Sequence, residues 1–175
     1  LIVRDIPGVD VNTILADIKP EYKPIIIMMG GSSYGLTLTN KILKHLTDFK
    51  EEFIIFGYIT NFSRENVKAF QYKEDFLKYL MMSKGIITLA GHETLSEALF
   101  FKKPALVFPI EDHIEQLINA HEVTKFFQVG NVNDIKGSVE KFIMCIYDLE
   151  EKISNINVKI NGEEQIVKII LQSIR

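Results

Sequence analysis

Three groups of residues have the types and spacing needed to bind a phosphorylated, hydroxyl-rich ligand. The first is the turn Gly30-Gly31-Ser32-Ser33, with Gly35 close behind, in front of a segment of helical period. Backbone N–H groups and hydroxyls there can face a phosphate or a carboxylate. The turn matches neither G-x-G-x-x-G nor the P-loop, and a need for permissive backbone angles explains it equally well. The second group is Thr88-Leu89-Ala90-Gly91-His92-Glu93-Thr94-Leu95-Ser96-Glu97. Gly91 falls just past a strand, Thr94 in the first turn of a helix and Glu97 one turn further on. A hydroxyl and exposed N–H groups at a helix start suit a diphosphate, and a carboxylate one turn deeper can accept two hydrogen bonds from a ribose diol. Taken singly, Thr94 reads as a helix cap and Glu97 as a solvated helix residue. The third group follows Pro109, where Glu115-Gln116 set a carboxylate beside an amide, a pair able to grip neighbouring sugar hydroxyls. In isolation the pair reads as surface polarity, and Glu111-Asp112-His113 as loop polarity.

These groups need a frame that brings strand ends together. Short apolar runs ending in Gly, Pro or small polar residues alternate with segments of helical period, which predicts a parallel sheet with crossover helices. Strands are expected at Ile25 to Met29, Phe53 to Phe56, Val67 to Phe70, Ile86 to Leu89 and Ala105 to Phe108. The polar stretch Thr60 to Asn66 reads as a turn. Leu36, Leu38, Ile42, Leu43 and Leu46 mark a helix after the first strand, and Phe76, Leu77, Leu80 and Met81 mark another. Further helices are expected from Ala90-Gly91 to about Phe101 and from about His113 to Thr124. Two more fill Ile135 to Arg175, around a polar break at Ser154 to Gly162. The fold class is therefore α/β, a Rossmann-like, doubly wound parallel sheet with helices on both faces, whose ligands bind outside the carboxyl ends of the strands. Residues 1–22 read as an interdomain linker and 23–175 as the ligand-binding domain.

A chain of 175 residues, 47% hydrophobic, can bury one substantial core. Its 20 basic residues are scattered among 23 acidic ones, for a net charge of −3, so there is no electrostatic footprint for nucleic acid. The single cysteine, Cys145, lies in the apolar stretch Phe142 to Ile146 and reads as a small buried hydrophobe, which points to a reducing, cytoplasmic setting. No apolar run reaches the roughly 18 to 20 residues that cross a bilayer. The start, Leu1 to Pro7, has no signal-peptide layout or initiator Met and reads as an excised fragment. His45, His92, His113 and His121 form no H-E-x-x-H or other ligand spacing, so no metal site is expected. Ser32, Ser33 and Ser96 lack the G-x-S-x-G elbow of serine hydrolases.

The order and spacing of the three groups resemble a known donor-site signature. Gly91-x-x-Thr94-x-x-Glu97, then a strand ending in Pro109, then Glu115-Gln116-x-x-Asn119-Ala120 is similar to the pattern of GT-B glycosyltransferases, especially the MurG-like family and the UDP-glycosyltransferases. The resemblance covers nearly the whole chain, from the glycine-rich first loop to the closing Gly162-Glu163-Glu164-Gln165-Ile166-Val167 segment. It implies the C-terminal half of a GT-B fold that binds a nucleotide sugar, a UDP-sugar above all, with no separate cofactor. Glu97 would bind the ribose, and Thr94 with the backbone of Gly91, His92 and Glu93 the diphosphate. Glu115 and Gln116 would contact the sugar. Phe70 and Gln71 would lie against the base, Phe76 would close that pocket, and Gly31 and Ser32 would approach the phosphate or acceptor side. One departure stands out. Two residues before the motif glycine these families often carry His or Arg, where this chain has Leu89; His92 offers a donor nearby.

The reaction implied is inverting transfer of a sugar to a hydroxyl of a glycan, lipid or small-molecule acceptor. Its general base would come from an N-terminal domain, so no catalytic residue is assigned within this chain. The full enzyme would be cytoplasmic, with membrane association through the absent half. Alternatives are a sugar-nucleotide epimerase of the same fold, a donor-binding subunit that docks on a separate acceptor-carrying partner, and a dinucleotide-binding domain of a dehydrogenase.

Overall fold

The structure is a computed structural model that describes residues 23–156, 167 and 169–172. The proposed linker 1–22 and nearly all of the closing segment lie outside the described residues. From Ile25 onward the chain alternates strand and helix. It runs β1 (Ile25–Met28), α1 (Ser33–Leu43), a 3-10 turn (Leu46–Asp48), β2 (Phe53–Phe56), β3 (Phe62–Arg64), β4 (Val67–Phe70) and α2 (Phe76–Met82). Then follow β5 (Gly85–Leu89), α3 (His92–Phe100), β6 (Ala105–Phe108), α4 (Ile114–Val123), β7 (Gln128–Val129) and α5 (Ile135–Ser154).

The strands make one seven-stranded sheet in the order β3-β4-β2-β1-β5-β6-β7. All neighbours are parallel except β3, which runs antiparallel to β4. Central strands buried on both faces need apolar residues throughout rather than in alternation. β2 and β6 are accordingly buried at every position. Successive side chains still diverge to opposite faces. Ile26, Ile54, Phe56, Ile86 and Val107 meet α2, α3 and α4 on one side. On the other, Ile25, Ile27, Phe53, Ile55, Ile87 and Leu106 pack with Leu38 and Ile42 of α1 and with Val139, Phe142 and Ile146 of α5. This is the doubly wound sheet with helices on both faces that the sequence predicts.

Two strands differ from that expectation. Phe62–Arg64, inside the polar stretch read as a turn, pairs with β4 through a hairpin in which Glu65 takes φ 46 and Asn66 follows. Asn66 Nδ2 donates to the carbonyls of Leu46, Phe49 and Glu51 at 2.9, 3.0 and 2.8 Å, which fastens the hairpin to the turn before β2. Ser63 and Arg64 are exposed at the sheet edge, so this strand has no apolar run by which to recognise it. β7 has only two residues, Gln128 and Val129, and likewise offers no apolar run. Cys145 is half-buried on α5, more accessible than its apolar neighbours suggested.

Candidate functional site

At β1 the direction of winding reverses. β2 and β4 are laid down on one side and β5, β6 and β7 on the other, so the loops leaving β1 and β5 part and leave a crevice between them. A cavity of about 400 Å3 occupies it. Its walls are three strand-end segments: Met28, Met29 and Gly30 to Ser32 after β1; Thr88, Leu89, Gly91 and Thr94 at the β5–α3 junction; and Ile110, His113 and Gln116 after β6.

Each wall has a local cause. Gly30 turns the chain out of β1 at φ 67, a left-handed conformation that favours glycine. Ser32 then caps α1, its Oγ accepting from Gly35 N at 3.0 Å. Gly35 lets α1 start directly against the strand, since a Cβ there would stand 2.2 Å from the Met29 carbonyl oxygen. The cap of α3 is Gly91, with no side-chain cap bond, so Thr94 is not a cap and instead contributes to the cavity wall. One turn deeper on α3, Glu97 is 0% exposed, against the reading of a solvated helix residue. In the third wall Gln116 Oε1 accepts from Ile110 N at 3.2 Å, closing the loop onto α4 and leaving the amide Nε2 to donate elsewhere. Asn119 Nδ2 donates to Ala90 O at 2.9 Å and Thr88 Oγ1 to Met28 O at 2.7 Å, so the three walls are tied to one another.

The field in the cavity comes chiefly from backbone. α1 and α3 both begin at its rim, and the first N–H groups of a helix have no partner within it, so both ends present partial positive charge. In the first turn of α1, burial and then the negative charge of Glu111 hold the Tyr34 phenol above its ordinary pKa. Among the described residues no group of three or more His, Cys, Asp or Glu side chains is placed to hold a metal ion, and no helix is long and apolar enough to cross a membrane.

Of the residues singled out from the sequence, Gly31, Ser32, Gly91, Thr94 and Gln116 line the cavity. His92, Glu93 and Glu115 are exposed beside it on the first turns of α3 and α4. Glu97 is not in the lining and is fully buried one turn further along α3. Phe70 and Phe76 belong to a separate aromatic cluster at the ends of β2 and β4, where Phe56 meets Phe70 at 5.8 Å, Phe76 at 5.5 Å and Tyr79 at 5.2 Å, while Gln71 is exposed just after β4, its N–H donating to Asn61 Oδ1 at 2.7 Å. Lys73 Nζ stands 4.5 Å over the Phe70 ring. His113, read from the sequence as loop polarity, lines the cavity. The signal that could have found it is its place between the end of β6 and the start of α4.

The sheet order, with its switch point between β1 and β5, is that of the Rossmann-like half of a GT-B fold. In fold the chain is similar to Acinetobacter baumannii MurG, with a TM-score of 0.68 over 89% of this chain and 54% of that one at 15% identity. It is also similar to the glycosyltransferase VinC in complex with dTDP, with a TM-score of 0.60 over 89% of this chain and 43% of that one at 13% identity. The chain belongs to glycosyl transferase family 1, whose model matches residues 16–146. It is 29% identical over 141 residues to the UDP-N-acetylglucosamine–N-acetylmuramyl-(pentapeptide) pyrophosphoryl-undecaprenol N-acetylglucosamine transferase of Thermosipho melanesiensis, covering 79% of this chain and 39% of that protein. An uncharacterized glycosyltransferase of Methanosarcina mazei is 30% identical, with 80% and 39% covered. The chain thus spans less than half the length of these relatives.

Proposed function

We propose that this chain binds the nucleoside-diphosphate sugar of a glycosyltransferase whose acceptor-binding half is a further domain or a partner subunit. The observation that carries the reading is the cavity at the switch point, rimmed by two helix N-termini, with Thr94 in its wall and Glu97 one turn deeper on the same helix. The diphosphate sits at the start of α3 against the backbone of Gly91, His92 and Glu93 and the Thr94 hydroxyl. The ribose reaches toward Glu97, and the base lies toward Phe70 and Gln71, with Phe76 behind. Gln116 and Glu115 meet the sugar, and Gly31 and Ser32 face the phosphate or the incoming acceptor.

The leaving group is a nucleoside diphosphate, and fixed N–H dipoles aimed at it stabilise the charge that develops as the glycosidic bond breaks. The acceptor hydroxyl attacks from the opposite face, with inversion, its proton taken by a base outside this chain. UDP is the nucleotide favoured, because the Thermosipho melanesiensis relative is named for UDP-N-acetylglucosamine, whereas the VinC structure holds dTDP.

Calorimetric titration with UDP, dTDP, GDP and NAD, repeated on Glu97→Gln, tests this. Selective binding of one nucleoside diphosphate, weakened at least about tenfold by the substitution, is the expected result. Preference for NAD, or diphosphate binding indifferent to Glu97, overturns it.

A further inference from the structure

A diphosphate needs more positive charge than the cavity's backbone supplies. Each helix N-terminus is worth roughly half an elementary charge, so α1, α3 and α4 together offset roughly one and a half of the two or more negative charges on a nucleoside diphosphate. Most polar side chains in the wall are already engaged with the protein: Ser32 with Gly35 N, Thr88 with Met28 O and Gln116 Oε1 with Ile110 N. Leu89, at the end of β5, is apolar and 8% exposed. Among the lining residues His113 alone has an ionisable side chain.

His113 is also firmly placed. It is the N-cap residue of α4, its N–H donating to Ile110 O at 3.1 Å and its carbonyl accepting from Leu117 N at 3.0 Å. The backbone is therefore held on both sides while the side chain is left exposed. Its charged neighbours make it necessary. Glu111, Asp112 and Glu115 on its own loop and helix are acidic, and across the cavity α3 brings Glu93 beside His92 and α1 brings the Tyr34 phenol. Apart from His113, the charged side chains of the β6–α4 rim are all acidic.

We infer that His113 is a binding residue for the diphosphate, donating a hydrogen bond to its anionic oxygens from the β6–α4 rim, where Leu89 across the cavity has no side-chain donor to offer. The inference rests on the donor-site reading given above. Uridine, UMP and UDP should be titrated into wild type, His113→Gln and His113→Ala. Because the side chain is exposed and its capping bonds are made by backbone, both variants should melt where wild type does.

The expected result is that His113→Ala weakens UDP at least about tenfold, UMP less, and uridine not at all. His113→Gln, which keeps a side-chain N–H donor, should lose less than His113→Ala. Equal losses for UDP and uridine, or no loss for either, overturn the assignment while leaving the donor site in place. A wild-type chain that binds none of the three overturns the donor site as well.

Discussion

Thr94 and Glu97 are three residues apart on α3, so they lie on one side of the helix at two depths. Thr94→Val keeps the shape and removes the hydroxyl. It should weaken UDP binding about tenfold while leaving the melting temperature within a few degrees of wild type. Calorimetry and a thermal scan check both halves. The two glycines of the β1–α1 wall offer a sharper contrast. A Cβ on Gly31 meets nothing within 4 Å, so Gly31→Ala should fold with stability within about 0.5 kcal/mol of wild type and yet lose nucleotide affinity where the methyl enters the cavity. Gly35→Ala should be destabilised by about 2 kcal/mol or more, because the methyl would collide with the Met29 carbonyl and push α1 from the sheet. Denaturant unfolding separates the two. The sequence made Gly31 a candidate by its place in a turn, but it could not distinguish a glycine kept open for a ligand from one needed for close packing. That difference depends on where the helix lies against the strand. His113 escaped notice for a related reason, since a lone histidine among acidic loop residues acquires meaning only when a cavity wall forms around it.

At the scale of elements, the β3–β4 hairpin depends on a single amide. Asn66→Ala would leave the carbonyls of Leu46, Phe49 and Glu51 without that donor, and unfolding in urea should show a loss of about 2–4 kcal/mol. Phe70, Gln71 and the aromatic cluster are reached through this hairpin, so nucleotide binding should weaken along with it. The five apolar strands were legible because residues buried on both faces of a parallel sheet must be hydrophobic at nearly every position, as in Phe53–Phe56 and Ala105–Phe108. β3 and β7 were not, since an edge strand is defined by the backbone bonds it makes. Phe62-Ser63-Arg64 has the composition of a loop and becomes a strand only because β4 offers it an edge.

For the molecule as a whole, the two ends of the sheet are put to different uses. Opposite the cavity, Lys103 Nζ donates to Ser83 O at 2.9 Å, joining the segments that lead into β5 and β6. Burial, and then the charge of Lys23, lower the Lys103 pKa from its ordinary value. A lowered lysine loses its proton in the folded chain before it does so in the unfolded one. Between those two values the unfolded state holds more protons, and stability rises with pH; below the folded value the contribution is flat. Urea titrations from neutral into alkaline solution should therefore show a stability gain in wild type that Lys103→Met lacks. The order of motifs was legible from the sequence because spacing along the chain carries it. Their convergence was not, since it depends on β1 lying between β2 and β5. That central placement has a consequence for synthesis. β1 pairs with β5 from Ile25↔Gly85 onward, and the cavity is complete only once Gln116 is in place. A chain emerging from the ribosome can thus complete this cavity only after Gln116 has been made, and nucleotide capture by stalled chains of increasing length would report the moment at which its third wall closes.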